Sequence, residues 1–217
     1  MTARMQLLGR FRERWTSGAL PLVVEHRADR PEHVCAAPSL WMGGRELAAE
    51  LSELGLGPGQ VLELAVPLGI RWVQGLIGAL RVGAAVTPAS QAGLEPAARL
   101  GADGLEPVTP GTLTTSRDTA WLDEGGDPLS RDELDALVPS LASRWTLTEG
   151  LRVLGRLTAD RHSDLAASLA VLHAEGELHV LPDHDPDWPR SLHSSTPELQ
   201  IGFHDRPPRG GASSPHA

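Results

Sequence analysis

Two strand–helix–strand runs on either side of a loop-like middle predict an α/β fold: a two-layer or three-layer sandwich whose mostly parallel sheet is built from βαβ units. The first run is Val61 to Pro67, Ile70 to Arg81 and Ala84 to Pro88. Its outer segments are short and continuously apolar, as buried parallel strands are. Its middle places Ile70, Val73, Leu76, Ile77 and Leu80 at helical spacing, with Gly83 as a stop. The second run is Arg152 to Thr158, Ser163 to His173 and Glu177 to Leu181. A helix that crosses between two strands returns the chain in the same direction, so each run implies parallel neighbours.

The remaining elements follow in order. Met1 to Gly18 carries Leu7, Leu8, Phe11 and Trp15 at helical spacing, which predicts an amphipathic helix and not a signal peptide. Leu20 to Val24 and His33 to Ala37 read as short strands around a turn at Asp29, Arg30 and Pro31. Gly44 to Leu54 predicts a helix ended by Gly55, and Leu56-Gly57-Pro58-Gly59 a turn. Ser90 to Glu124 is loop-like, with strands at Leu105 to Val108 and Thr119 to Leu122. Ser130 and Glu133 have capping-box spacing and open a helix whose apolar face is Leu134, Leu137, Val138, Leu141 and Trp145. Beyond Pro182 the chain is polar and proline-rich. We therefore expect one domain over residues 1–204, with a helix at 1–18, and a disordered tail at 205–217.

Composition excludes more than it assigns. The formal charge of −9 opposes non-specific binding to nucleic acid, which rests on cations neutralising phosphates. No 18-residue apolar run marks a membrane span. Cys35 is the only cysteine and has no intrachain partner, so a cytoplasmic protein is expected. There is no lysine, asparagine or tyrosine, and all 19 basic residues are arginine. A genome rich in G and C accounts for that bias, yet the chemical consequence stands: no step here can use a lysine.

Within this pattern, Leu47 to Pro88 resembles the early region of the AMP-binding superfamily of acyl-CoA synthetases, peptide-synthetase adenylation domains and luciferases. In that family a helix ends in G-hydrophobic-GxGD, a strand ends in proline, and a helix leads into L-x-x-G-A-x-x-x-P. Gly55 to Gln60, Val61 to Pro67 and Leu80 to Pro88 stand in those places. Pro128 to Pro182 resembles a later region, where a helix follows the phosphate loop and a turn of the type L-T-x-x-D precedes a strand, a helix and a strand. Leu129 to Trp145, Leu147-Thr148-Glu149-Gly150, Arg152 to Thr158 and Glu177 to Pro182 follow that plan. The resemblance implies a synthetase-like core over residues 41–183, corresponding to the N-terminal part of an adenylate-forming enzyme.

The same resemblance implies that adenylate formation is absent. The family holds ATP phosphates with a loop of the type T-S-G-T-T-G-x-P-K before the helix that here starts near Leu129. This chain has Trp121-Leu-Asp-Glu-Gly-Gly-Asp-Pro-Leu-Ser130 there, so Asp123, Glu124 and Asp127 would face phosphate with like charge. Gly125 and Gly126 remain as weak nucleotide-binding candidates, as do Thr114, Thr115 and Ser116 in the hydroxyl-rich stretch nearby. Arg117 and Arg131 are the cations closest to a substitute for lysine. No counterpart is expected of the family's mobile C-terminal domain, which supplies a second lysine.

Other chemistry is weakly signalled. His173, His179, Asp183, His184 and Asp185 are suitable ligand types for zinc or manganese, but their spacing matches no helical ligand pair. Arg161-His162-Ser163-Asp164 reads as a helix start, since triad partners meet in space and not along the chain. Cys35 lies among Val34, Ala36 and Ala37 and reads as buried. Trp41, Trp72, Trp121 and Trp145 read as core anchors, and Trp188 as exposed. The expected function is a non-catalytic AMP-binding-enzyme-like domain with a binding or assembly role, with no catalytic residues and no cofactor. A homo-oligomer or a protein partner would cover an apolar face left open. A metal-dependent enzyme of unrelated chemistry and a nucleotide or acyl-ligand sensor are the alternatives.

Overall fold

The computed structural model describes residues 5–16, 21–27, 30–88, 96–108, 115–123, 127–155, 162–180 and 199–201. Helix α1 spans Gln6–Trp15 and buries Leu7, Phe11 and Trp15. Strands β1 (Pro21–Arg27) and β2 (Arg30–Ala36) pair antiparallel and lead into α2 (Ala37–Glu53). Then come β3 (Val61–Leu64), α3 (Ile70–Val82), β4 (Ala85–Pro88), β5 (Ala98–Gly101), β6 (Gly104–Pro107), β7 (Thr119–Leu122) and β8 (Pro128–Ser130). The last elements are α4 (Arg131–Arg144), β9 (Arg152–Gly155), α5 (His162–His173), β10 (Glu177–Val180) and β11 (Leu199–Ile201).

These strands form two mostly parallel sheets. Sheet A has the order β11-β9-β10-β1-β2, and sheet B the order β6-β5-β3-β4-β7-β8. Both βαβ units are present with parallel neighbours, β3-α3-β4 and β9-α5-β10, but each lies in a different sheet. Sheet A takes the first two and last three strands of the described chain, and sheet B everything between. Strands β5, β8 and β11 were not anticipated. Each is only three or four residues long, too short for alternation to show, and β5 and β11 also take hydrogen bonds from strands distant in sequence, β3 and β9.

Helix α3 packs against strands of both sheets, β1 in one and β3 and β4 in the other, and against α2. It is largely buried, with Ile70, Trp72, Val73, Leu76, Ile77, Ala79 and Leu80 in the core and Arg71 and Arg81 exposed near its two ends. Small residues set how closely its neighbours approach. A Cβ on Gly78 would stand 3.0 Å from Leu47 Cβ and 3.2 Å from Ala48 N, so the α2 and α3 backbones nearly touch. A Cβ on Gly75 would meet Leu100 Cδ2 at 2.5 Å and Leu64 Cδ2 at 2.7 Å, on the sheet B side.

This contact corrects one sequence boundary. Helix α2 starts at Ala37, seven residues before the expected Gly44, with a proline in its first turn. Gly43 and Gly44 do not open the helix; they lie inside it, against Gln74 and Ile77 of α3. Gly83 has a different duty: at φ 87° it is the left-handed C-cap of α3 and donates its N–H to Ala79 O. The tryptophans behave largely as expected: Trp41, Trp72 and Trp121 are buried, Trp145 partly so, and Trp72 packs on Trp121 with ring centroids 5.8 Å apart. Trp188 and the tail lie outside the described residues.

Two glycine substitutions should therefore act in opposite directions. Gly78→Ala should destabilise by about 1–2 kcal/mol, because backbone cannot yield to the new methyl. Gly9→Ala, on the exposed side of α1 with nothing within 4 Å, should stabilise by about 0.5–1 kcal/mol. Urea unfolding midpoints of the two variants check both signs.

Candidate functional site

Ligands in open α/β sheets bind beyond the carboxyl ends of the strands. In sheet B, the carboxyl end of β7 is where the resemblance places the phosphate loop. The chain leaves β7 at Leu122 and returns antiparallel as β8, with Leu122 opposite Pro128 and Thr119 opposite Ser130. The turn between them closes on itself. Asp123 N–H donates to Asp127 O at 3.1 Å, and the Asp123 carboxylate accepts the Asp127 N–H at 2.8 Å. A backbone N–H of the kind that cradles phosphate is thus already held by a carboxylate of the same loop. Set against G-x-P-K, Gly126-Asp127-Pro128-Leu129 puts a buried leucine where the motif has lysine.

The candidates Thr115 and Ser116 lie at the opposite end of β7. Thr115 N–H donates to Gly59 O at 2.9 Å, in the turn before β3, and its Oγ1 donates to Thr119 Oγ1 at 2.9 Å. Ser116 Oγ accepts from Asp118 N–H at 3.4 Å, forming a local turn. A whole strand, roughly 13 Å at 3.3 Å per residue, separates these hydroxyls from the Asp123–Asp127 loop. They do not converge on one ligand. Thr114, Gly125 and Gly126 lie outside the described residues.

The two arginines also part company. Arg117 is exposed. Arg131 is buried, and its guanidinium donates to the carbonyls of Leu80 (3.3 Å), Ala84 (3.0 Å) and Thr119 (3.4 Å). Burial pulls its pKa down from the ordinary arginine value, with Asp118 and Asp135 opposing. It therefore joins the end of α3, the start of β4 and the start of β7, and is not offered to a ligand.

Three helix N-termini, natural anion sites, are occupied by the chain's own carboxylates. At α4, the capping box is complete: Glu133 N–H donates to Ser130 Oγ at 3.2 Å, and Ser130 N–H to Glu133 Oε2 at 2.8 Å. At α3, Ile70 N–H donates to Glu25 Oε1 at 2.6 Å. At α1, the N–H groups of Gln6 and Leu7 donate to Asp135 at 2.7 and 2.8 Å. Glu25 and Asp135 come from β1 and α4, so these caps also hold distant elements together.

Of the proposed metal ligands, His173 and His179 lie among the described residues. His173 ends α5 and His179 lies on β10, where its Nδ1 faces His26 Nε2 at 2.9 Å and its Nε2 faces Glu177 at 3.4 Å. Asp183, His184 and Asp185 lie outside the described residues. Among the described residues, no group of three or more His, Cys, Asp or Glu is arranged to hold a metal ion. Cys35 is buried, and burial raises its thiol pKa, with Glu25 adding to the effect.

A cavity of about 600 Å³ lies elsewhere, lined by Arg14, Ser143, Thr148, His173 and Glu175 among others. Its walls include Thr146 to Glu149 and Ala174, the segments that lead into β9 and β10. It therefore opens at the amino ends of sheet A, the edge opposite to the one α/β enzymes use. Arg14 crosses it, donating to His173 O at 2.8 Å and pairing with Glu175 at 3.4 Å. Among the described residues, no helix is long and apolar enough to cross a membrane.

No family model matches the chain, and no curated protein matches it by sequence. Solved structures of adenylate-forming enzymes do match in fold. CmiS6 superposes with a TM-score of 0.70 at 18% identity, covering 85% of this chain and 54% of its own. ATP-bound MatB from Rhodopseudomonas palustris gives 0.66 at 19%, covering 85% and 46%. The fatty acid AMP ligase from Legionella pneumophila gives 0.64 at 14%, covering 81% and 39%. The chain thus has the α/β fold of adenylate-forming enzymes and spans about half the length of the structures it matches, or less.

Arg131→Met should cost about 2–3 kcal/mol, because three buried carbonyls lose a charged donor. The urea midpoint should fall while nucleotide response stays as in the parent chain.

Proposed function

We propose that this chain is a non-catalytic domain of adenylate-forming-enzyme fold with a binding or assembly role. The observation that carries the reading is the β7–β8 turn, where the Asp123 carboxylate occupies the Asp127 N–H. The chemistry of adenylate formation demands donors aimed at developing negative charge, each worth roughly 3–4 kcal/mol of barrier. Here that position holds carboxylates, the motif's lysine is Leu129, and the chain contains no lysine at all. Arg131, the nearest basic side chain in sequence, is committed to backbone carbonyls. A scaffold without its charge-stabilising groups retains surfaces, and surfaces bind.

Support for assembly is slighter and lies on the outside of the fold. Among the described residues, the large apolar side chains most exposed are Val34 (53%), Met42 (48%) on α2 and Leu54 (41%) at the C-cap of α2. Val34 lies on β2, the edge strand of sheet A, whose outer backbone groups face no other strand of the sheet.

Two measurements test the two halves. ATP–pyrophosphate exchange with a panel of carboxylic acids, fatty acids included, should stay at background, and Mg·ATP should leave the melting temperature unchanged. A ligand held at about 100 times its Kd would add roughly 2.7 kcal/mol, so exchange would sink the non-catalytic reading, and a clear shift without exchange would point to a nucleotide sensor. Sedimentation velocity at micromolar concentration should show a species larger than the monomer, reduced by Met42→Asp. A strict monomer would remove self-assembly from the proposal.

A further inference from the structure

Helices α4 and α5 end beside one another at the cavity of about 600 Å³, which takes in residues from the last turn of each. Both ends close in the same way. Leu147 N–H donates to Ala142 O at 2.9 Å, and Gly176 N–H to Val171 O at 3.0 Å. That closure holds Thr146 and Glu175 in the left-handed region, at φ 54° and 59°. Glycine is the usual residue there, and a β-branched threonine is strained. Among the described residues these are the two non-glycine positions with positive φ, and both line the one cavity. Gly150 N–H donates to Glu175 O at 2.9 Å, which brings Glu149 beside Glu175.

The cavity is rich in acceptors. A helix C-terminus carries roughly half a negative charge, and two of them meet here with the carboxylates of Glu149 and Glu175. His173 Nδ1 is buried and has no hydrogen-bond partner among the described residues. The chain itself shows which group suits this field. Arg14 comes across from α1, donates to His173 O at the end of α5 at 2.8 Å, and pairs with Glu175 at 3.4 Å. Glu149 is exposed and enters no ion pair among the described residues. Pro139, Ala142 and Leu147 add an apolar wall.

We propose that this cavity binds an alkylammonium group, its N–H donors toward Glu149 and the two helix ends and its hydrocarbon against Pro139, Ala142 and Leu147. A carboxylate or phosphate in the same place would meet like charge from the glutamates and from both helix ends. The formal charge of −9 draws small cations toward the chain. The chain contains no lysine, so no copy of it supplies such a side chain. The group comes from a free amine or from a lysine of another protein. The site shares no residue with the β7–β8 turn, so it stands or falls separately from the non-catalytic reading.

1-Aminobutane, 1-butanol and butyrate should be titrated in turn into the ¹⁵N-labelled full chain at constant pH and ionic strength. The amine alone should give saturable amide shifts at Thr146, Gly150, Ala174 and Glu175. No saturation with the amine, or equal binding of the alcohol or the carboxylate, would overturn the proposal. Glu149→Gln should weaken amine binding about three- to fivefold. Arg14→Gln removes the resident cation and should strengthen it by a similar factor, whereas weaker or unchanged binding in that variant would count against the site. If a variant does not fold, the three probes on the parent chain decide. A short lysine peptide separates the sources. Tighter binding than 1-aminobutane assigns the group to a protein partner, and equal or weaker binding assigns it to a free amine.

Discussion

Helix α3 touches strands of both sheets and lies against α2, with most of its residues buried. That position depends on glycine. At Gly78 the α2 and α3 backbones come within contact of a single methyl, and at Gly75 Leu64 and Leu100 of sheet B fill the space a Cβ would take. The close approach makes one continuous buried cluster out of residues from both sheets. Because α3 also leads from β3 into β4, fixing it fixes the middle of sheet B. Glu25 of β1 accepts its first N–H and fixes sheet A against it.

Charge is used in the same structural way. Three helix N-termini receive carboxylates from Asp135, Glu25 and Glu133, and Arg131 gathers three carbonyls from separate segments. In an enzyme that binds a polyphosphate, several such donors would be left open toward the ligand. Here the chain's own side chains take them. Each helix-end contact is worth about 0.3–1 kcal/mol by the dipole alone. Asp135 and Glu25 also tie together residues 129 and 45 positions apart. The scaffold is stabilised by charged groups that bind its own backbone.

Some of the site was legible from residues alone. Ser130 and Glu133 form the capping box their spacing implied, and Asp123 and Asp127 lie in the acidic turn read from the loop. The position of Arg131 was not legible, because its partners Leu80, Ala84 and Thr119 are brought to it by folding. Thr115 and Ser116 are close to Asp123 in sequence, yet β7 runs between them. Nor was the contact of His179 with His26 legible, because the two lie 153 residues apart.

Periodicity by itself determined the helices α1, α3, α4 and α5, both βαβ units and the absence of lysine chemistry. Those depend on neighbours within a few residues or on composition, and both are written locally. Only the tertiary structure decided that the two units belong to different sheets, and that sheet A is closed by strands from the two ends of the described chain. It also decided that Gly43 and Gly44 lie inside a helix. Sheet membership and backbone contact are set by which distant surfaces bury one another, and no spacing along the chain records that choice.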